Sequence, residues 1–224
     1  MKKSLLISSL LLSFLGGYLD SYSLLYRGGK FAFMQTGNII TIATDIVQKN
    51  YHNLFLSLIL FISFIIGIVF SYFFTQFLKK KNKEKYLHSS LLILMLLLIP
   101  PNYFFDISNP QVIDISWICM VSLGIMGGIL LESFKSYYVN FAPTMMTNNT
   151  KLMIDLFLEG ATFHQKDKIK KGLIYLLIII FFILGVIVNT LLNKYLSLNY
   201  LNLIIAQLNI LILIYLDFNY LIKN

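Results

Sequence analysis

Charge is what this chain has least of. Of its 224 residues only 12% are Asp, Glu, Lys or Arg, while 58% are hydrophobic. A soluble domain of this size needs a polar coat, and so few charged residues do not supply one. Cysteine is nearly absent too. The single Cys119 sits inside an apolar run, which excludes an intrachain disulfide and reads as a small core residue. The three histidines, His52, His88 and His164, are scattered and show no metal-ligand spacing. There is no glycine-rich phosphate loop, no HExxH and no serine-nucleophile motif. An enzyme is therefore not expected, and neither is a catalytic residue, a metal or a cofactor. The net charge of +8 comes from cations in short blocks between apolar runs. Loops of membrane proteins look like this, and the pattern argues against a nucleic-acid partner.

What is present is hydrocarbon-length apolar sequence. Runs of about 18 or more residues with few charges read as membrane spans. Six are expected: Ser4–Leu25, Leu54–Leu78, Leu87–Phe105, Val112–Leu131, Leu173–Leu192 and Tyr200–Leu216. The fold class is all-α integral membrane, one domain over 1–224, with membrane lipid as the obligatory partner. The first span has a rival reading as a cleaved signal peptide after Met1-Lys2-Lys3. The run ends Ser13-Phe14-Leu15-Gly16-Gly17, a poor fit to the small residues that cleavage needs, and we take the segment as retained. With six spans, 14 Lys and Arg fall on the side of the termini and 4 on the other, so both termini are expected in the cytoplasm.

The halves of the chain resemble each other. Gly16-Gly17 matches Gly127-Gly128, and Met34-Gln35-Thr36-Gly37-Asn38 matches Met145-Met146-Thr147-Asn148-Asn149 without a gap. Phe64–Val69 resembles Phe182–Ile187. Two repeats, about 4–105 and 112–220, would each hold three spans, and an odd number inverts the second copy. After each Thr-x-Asn an amphipathic helix is expected, over Asn38–Gln48 and Asn149–Gly160. Thr36, Asn38, Thr147 and Asn149 are the residue types that cap a first helical turn. Two readings of these helices stay open: half-helices whose N-termini point at a solute, or interfacial helices that join two spans.

Several polar residues lie at membrane depth, where they are costly. Asp20, near the end of the first span, is expected to face a cavity or to pair with Arg27 or Lys30. Glu132 closes the fourth span with Lys135 three residues on, an ion-pair spacing. Asp20 and Glu132 each follow a Gly-Gly pair and fall in nearly matching places. Asn189, Asn202 and Asn209 are expected to bond across helices, and Gly16, Gly17, Gly124, Gly127, Gly128 and Gly185 to permit close helix approach. The candidate solute- or ion-binding residues are Asp20, Arg27, Gln35, Thr36, Gly37, Asn38, Glu132, Thr147, Asn148 and Asn149.

The segment from Gly17 to about Asp45 resembles the glycine–aspartate and Thr-Gly-Asn signature of the YoaK family. Gly17, Asp20, Arg27, Gly28, Gly29, Phe31, Ala32, Gln35, Thr36, Gly37 and Asn38 carry the resemblance. It implies a multi-pass protein of the bacterial inner membrane and no settled activity. The second half departs from that pattern. Where the family shows a Gln-Asn pair in the fourth span, this chain has Gly127-Gly128-Ile129-Leu130-Leu131-Glu132, and Thr147 is followed by Asn148 instead of Gly. The leading expectation is a permease or exporter for a small solute. The alternative is a non-transporting scaffold or sensor that binds a partner protein or lipid.

Overall fold

A backbone in hydrocarbon must satisfy its own N–H and C=O groups, and long Leu/Ile/Phe runs do so as helices. The computed structural model describes residues 2–104, 116–134, 143–196 and 199–222. Its elements are α1 (Lys2–Tyr26), α2 (Gln35–Gln48), α3 (Tyr51–Lys80), a 3₁₀ turn (Glu84–Tyr86), α4 (Leu87–Leu98), α5 (Pro101–Phe104), α6 (Ser116–Phe134), α7 (Met146–Thr162), α8 (Lys166–Leu196) and α9 (Asn199–Ile222). Six helical segments are long and apolar enough to cross a membrane: Leu5–Tyr26, Tyr51–Lys80, Glu84–Tyr103, Trp117–Phe134, Lys166–Tyr195 and Leu201–Ile222. These are the six expected spans. The part of the fourth before residue 116, with Asp114, lies outside the described residues, as does Lys135.

Breaks in the helices follow the sequence chemistry. Proline lacks an N–H and disfavours the helical region for the residue before it, so α4 stops ahead of Pro100-Pro101. Pro101 then opens the short α5, where a missing N–H costs nothing. After α1 the chain turns through Gly28 and Gly29 at φ +71° and +72°, a conformation glycine adopts without strain.

Helices α1 and α6 are the inner ones. Apolar residues of α1 (Leu12, Leu15, Leu19), α4 (Leu91, Leu92, Met95), α6 (Leu123, Met126, Leu130) and α9 (Leu203, Ile210, Leu213) close one core. Around it, α3 packs along α6 and α8 along α1. Between lipid-bathed helices no hydrophobic force acts, so small residues that bring backbones together decide the packing. The glycines show this. A Cβ on Gly17 would lie 2.2 Å from the Phe182 carbonyl oxygen, and one on Gly128 would lie 2.2 Å from that of Phe64. A Cβ on Gly185 would meet Phe14 O at 2.2 Å, and one on Gly67 would meet Ile125 O at 2.3 Å. The contacts of α1 with α8 are thus the contacts of α6 with α3, made by residues 111 and 118 positions apart in the chain.

The two short helices start against the middles of spans. Gly16 is near the middle of α1, and a Cβ there would meet Pro143 O at 3.0 Å, in the loop before α7. Gly127 is near the middle of α6, and its Cβ would meet Ala32 O at 2.8 Å, in the loop before α2. Met146, the first residue of α7, packs against the Tyr175 and Ile178 cluster of α8, as does Leu10 of α1. Both loops therefore turn beside the middles of spans: Gly16 lies about 15 Å from the Tyr26 end of α1, and Gly127 about 10 Å from the Phe134 end of α6, at 1.5 Å per residue. From there α2 runs back out beside α3, and α7 beside α8.

Gly17→Ala should separate packing from backbone freedom. Its Cβ strikes a backbone oxygen, so α1 and α8 must part, at a cost of about 3 kcal/mol or more. Gly28→Ala meets nothing within 4 Å and should cost only the left-handed strain, about 1–2 kcal/mol. Melting of the purified proteins in detergent checks the order. An unchanged melting temperature for Gly17→Ala would refute the close contact.

Candidate functional site

The loop before α2 is held from three sides. Asp20 Oδ1 accepts the Phe33 N–H at 2.7 Å and the Met34 N–H at 3.4 Å. Ser23 Oγ accepts the Ala32 N–H at 2.8 Å and donates to Asp20 O at 2.9 Å. Asn38 closes the turn from the helix side: its Oδ1 accepts Phe31 N–H at 3.1 Å, and its Nδ2 donates to Phe31 O at 2.6 Å and to Gln35 Oε1 at 3.0 Å. Gln35 Nε2 in turn donates to Ala32 O at 3.0 Å. Without these side chains the amides of a mid-bilayer turn would be unsatisfied. Asp20 is 4% exposed, and its Oδ2 has no partner among the described residues.

This corrects two expectations. First, Asp20 does not pair with Arg27 or Lys30; it serves the backbone 13 residues on. Arg27 Nη2 donates to Tyr22 Oη at 2.9 Å and to Asn102 O at 2.7 Å, with its guanidinium 5.6 Å from the Tyr22 ring. Lys30 reaches Asp45 at 3.4 Å, and both are buried. Second, the Thr-x-Asn residues do not cap their helices. Each helix starts one residue before its threonine, after Met34 and Met145, with no side-chain cap bond. Asn38 and Asn149 lie within the first turn, both fully buried. Thr36 is exposed, and so are Thr147 and Asn148. The spacing of 111 that relates the glycines puts Leu131 in register with Asp20 and Glu132 one residue on, the near match expected. Glu132 is half-buried near the end of α6.

The loops meet on α1. Gly16, against Pro143 and Thr144, and Asp20, against Phe33 and Met34, are four residues apart and share one face. The starts of α2 and α7 are thereby brought to adjacent turns, about 6 Å apart along the axis. Of the ten candidate residues, Asp20, Gln35, Gly37 and Asn38 form the clasp around the first start, while Thr147, Asn148 and Asn149 mark the second. Arg27 belongs to a separate cluster, in which Asn102 Nδ2 donates to Ser122 Oγ at 2.9 Å.

The sequence reading missed Ser23, whose spacing of three from Asp20 was a usable signal, and the Lys30–Asp45 pair across the turn. It also missed Ser89, which donates to the buried Asp217 carboxylate between α4 and α9. Asn202 bonds across helices as expected, taking the Tyr18 hydroxyl at 3.0 Å and donating to Tyr26 Oη at 2.8 Å. Asn209 does not; its Oδ1 is buried without a partner. Among the described residues no three His, Cys, Asp or Glu side chains converge as a metal site.

Six apolar spans with two half-length helices that start at mid-depth define a multi-pass membrane protein. The chain belongs to the family described as "Protein of unknown function (DUF1275)", whose model matches residues 8–216. No curated protein and no solved structure matches it.

Asp20→Ala should lose about 1.5–3 kcal/mol of stability, the worth of bonds to a charged acceptor, because the Phe33 and Met34 amides keep no replacement. Asp20→Asn keeps one acceptor oxygen and should lose about half as much. Equal stability of Asp20→Ala and the parent in thermal unfolding would contradict the clasp. For the Lys30–Asp45 pair, either single truncation (Lys30→Met or Asp45→Leu) should cost about 3–5 kcal/mol, and the double change should recover most of it. Additive losses in the double-mutant cycle would show that the two charges do not interact.

Proposed function

We propose that the protein is a permease or exporter for a small polar solute, built as two inverted three-span repeats, in the bacterial inner membrane with both termini in the cytoplasm. One observation carries the reading: the two half-helices begin at mid-depth, from opposite sides, on adjacent turns of α1. An anchor or a soluble-partner scaffold has no use for re-entrant backbone, which is tolerated at depth only inside protein or beside an aqueous path. Discontinuous helices whose N-termini meet at the midplane are a recurring design of solute sites. The recurrence of the α1–α8 contacts as α6–α3 contacts is what an inverted repeat produces. The 14-to-4 division of basic residues supports the orientation, and the YoaK resemblance supports the membrane.

The chemistry at the two starts suits a solute with both kinds of hydrogen-bonding group. Asp20 Oδ2 offers an acceptor. Thr36, Thr147 and Asn148 offer hydroxyl and amide groups. Leu131 stands where the first repeat has its carboxylate, one residue before Glu132.

A second reading has its own observation. A groove of about 410 Å³ between α1, α8 and α9, lined by Leu11, Phe14, Leu184, Val188, Ile205 and Ile212, is almost wholly apolar. A lipid- or partner-binding scaffold would use such a surface.

Flux separates the two. Purified protein in proteoliposomes, challenged with a labelled panel of amino acids, small carboxylates and polyols, should move at least one of them faster than protein-free vesicles. Asp20→Asn, which turns the free acceptor into a donor, should slow that flux about tenfold while the protein stays folded. No flux for any member of the panel would favour the scaffold. For orientation, reporters fused after Asn224 should be cytoplasmic, and reporters inserted near Asn50 should lie on the other side.

A further inference from the structure

We infer that the connection between α3 and α4 is a binding site for the headgroups of anionic phospholipids, on the side of the membrane that holds the termini. It lies apart from the two half-helices and from the apolar groove, and it does not depend on the permease reading.

Lys79, Lys80, Lys81, Lys83 and Lys85 crowd together where α3 ends, and all five are exposed. Glu84 is the one acid among them. The C-terminus of α3 adds the equivalent of about half a negative charge. Together these do not balance five cations. None of the five makes an ion pair with a described residue. The lysines at the start of α8 differ. There Lys168 meets Glu159 at 2.5 Å and Lys170 meets Asp167 at 3.8 Å. A topology signal only counts basic residues, and either block supplies them. Only in the α3–α4 block is every lysine without an acidic partner among the described residues.

Geometry puts these charges at the level of lipid phosphates. α3 has 30 residues, about 45 Å at 1.5 Å per residue, against a hydrocarbon core of about 30 Å. Its apolar run ends at Leu78, so the lysines that follow stand in the headgroup layer. Only residues 81–86 separate α3 from α4, and so short a connection between two spans stays on the surface. The neighbouring rings agree. Lys81 Nζ lies 6.0 Å from the centre of the Phe77 ring and Lys85 Nζ 5.0 Å from that of Tyr86, and both rings are exposed. Aromatic side chains in such places mark the membrane interface. An ammonium group has three donors and no acceptor, so the occupant must bring negative acceptor oxygens. The phosphodiester of an anionic lipid brings them, and its chains can lie along Phe73 and Phe77, exposed on one face of α3. A zwitterionic headgroup carries its own cation, which competes with the lysines.

Native mass spectrometry of the purified full chain, titrated with phosphatidylglycerol or phosphatidylcholine of the same acyl chains, tests this. Phosphatidylglycerol should bind about tenfold more tightly, since each lysine at an anionic surface is worth about fivefold. Lys81→Gln with Lys85→Gln should bring the two lipids to within about twofold of each other, with the melting temperature in the absence of lipid unchanged. Lys168→Gln with Lys170→Gln makes the same change in net charge. It should weaken phosphatidylglycerol binding by no more than about twofold, because charges farther from the site are screened. Lys81→Arg with Lys85→Arg keeps the charge and should keep the preference. Equal binding of the two lipids by the parent, or equal loss from the two pairs of Lys→Gln changes, would overturn the inference. Displacement of phosphatidylglycerol by millimolar inorganic phosphate would do the same, because it marks a site for any anion and not for a lipid.

Discussion

A chain that turns round in the middle of a bilayer must satisfy the amides of the turn with its own side chains, because nothing else there can. The first turn meets this demand with Asp20, Ser23, Asn38 and Gln35, which together hold the backbone of Phe31 to Met34. Each lost bond at that depth costs the full desolvation of the group left behind. The rest of the architecture serves this turn. α6 gives up its side chain at Gly127 so that the Ala32 carbonyl can come in, and α1 does the same at Gly16 for Pro143. The buried Lys30–Asp45 pair then ties the far end of α2 to the turn.

The glycine contacts set how close the spans can come. Gly17 and Gly185 bring α1 and α8 to backbone contact, and Gly128 and Gly67 bring α6 and α3 together. The two pairs of helices present matching faces, with a half-helix filling each side. Where the halves differ is at the acid. Asp20 steadies the first turn, and Leu131 takes the corresponding place in α6. The two starts thus share their glycine contacts and differ in charge.

The spans were legible because a hydrocarbon-length apolar run has few other fates, and the glycine pairs because only close packing explains them inside such runs. The two short helices were legible from their polar and apolar periodicity. Their depth was not, since an interfacial helix and a half-helix share that pattern. Capping by Thr36 and Asn38 failed because the helix starts earlier, at Gln35, and the motif asparagine turns back to the loop. Pairing of Asp20 with the nearest cations failed for a related reason. Sequence distance favoured Arg27 and Lys30, but the unsatisfied amides of Phe33 and Met34 had the stronger need, and Lys30 found Asp45.

The central claim is that both half-helices begin near the bilayer centre. Spin labels at Met34 and Met145, with the protein in lipid bilayers, report depth through the balance of oxygen and water-soluble nickel relaxation. Both labels should lie about 15 Å from the headgroups, half of a hydrocarbon core about 30 Å thick, with a label at Lys49 or Phe163 near the surface. Labels at Met34 and Met145 that report headgroup depth would make α2 and α7 interfacial helices and contradict the account.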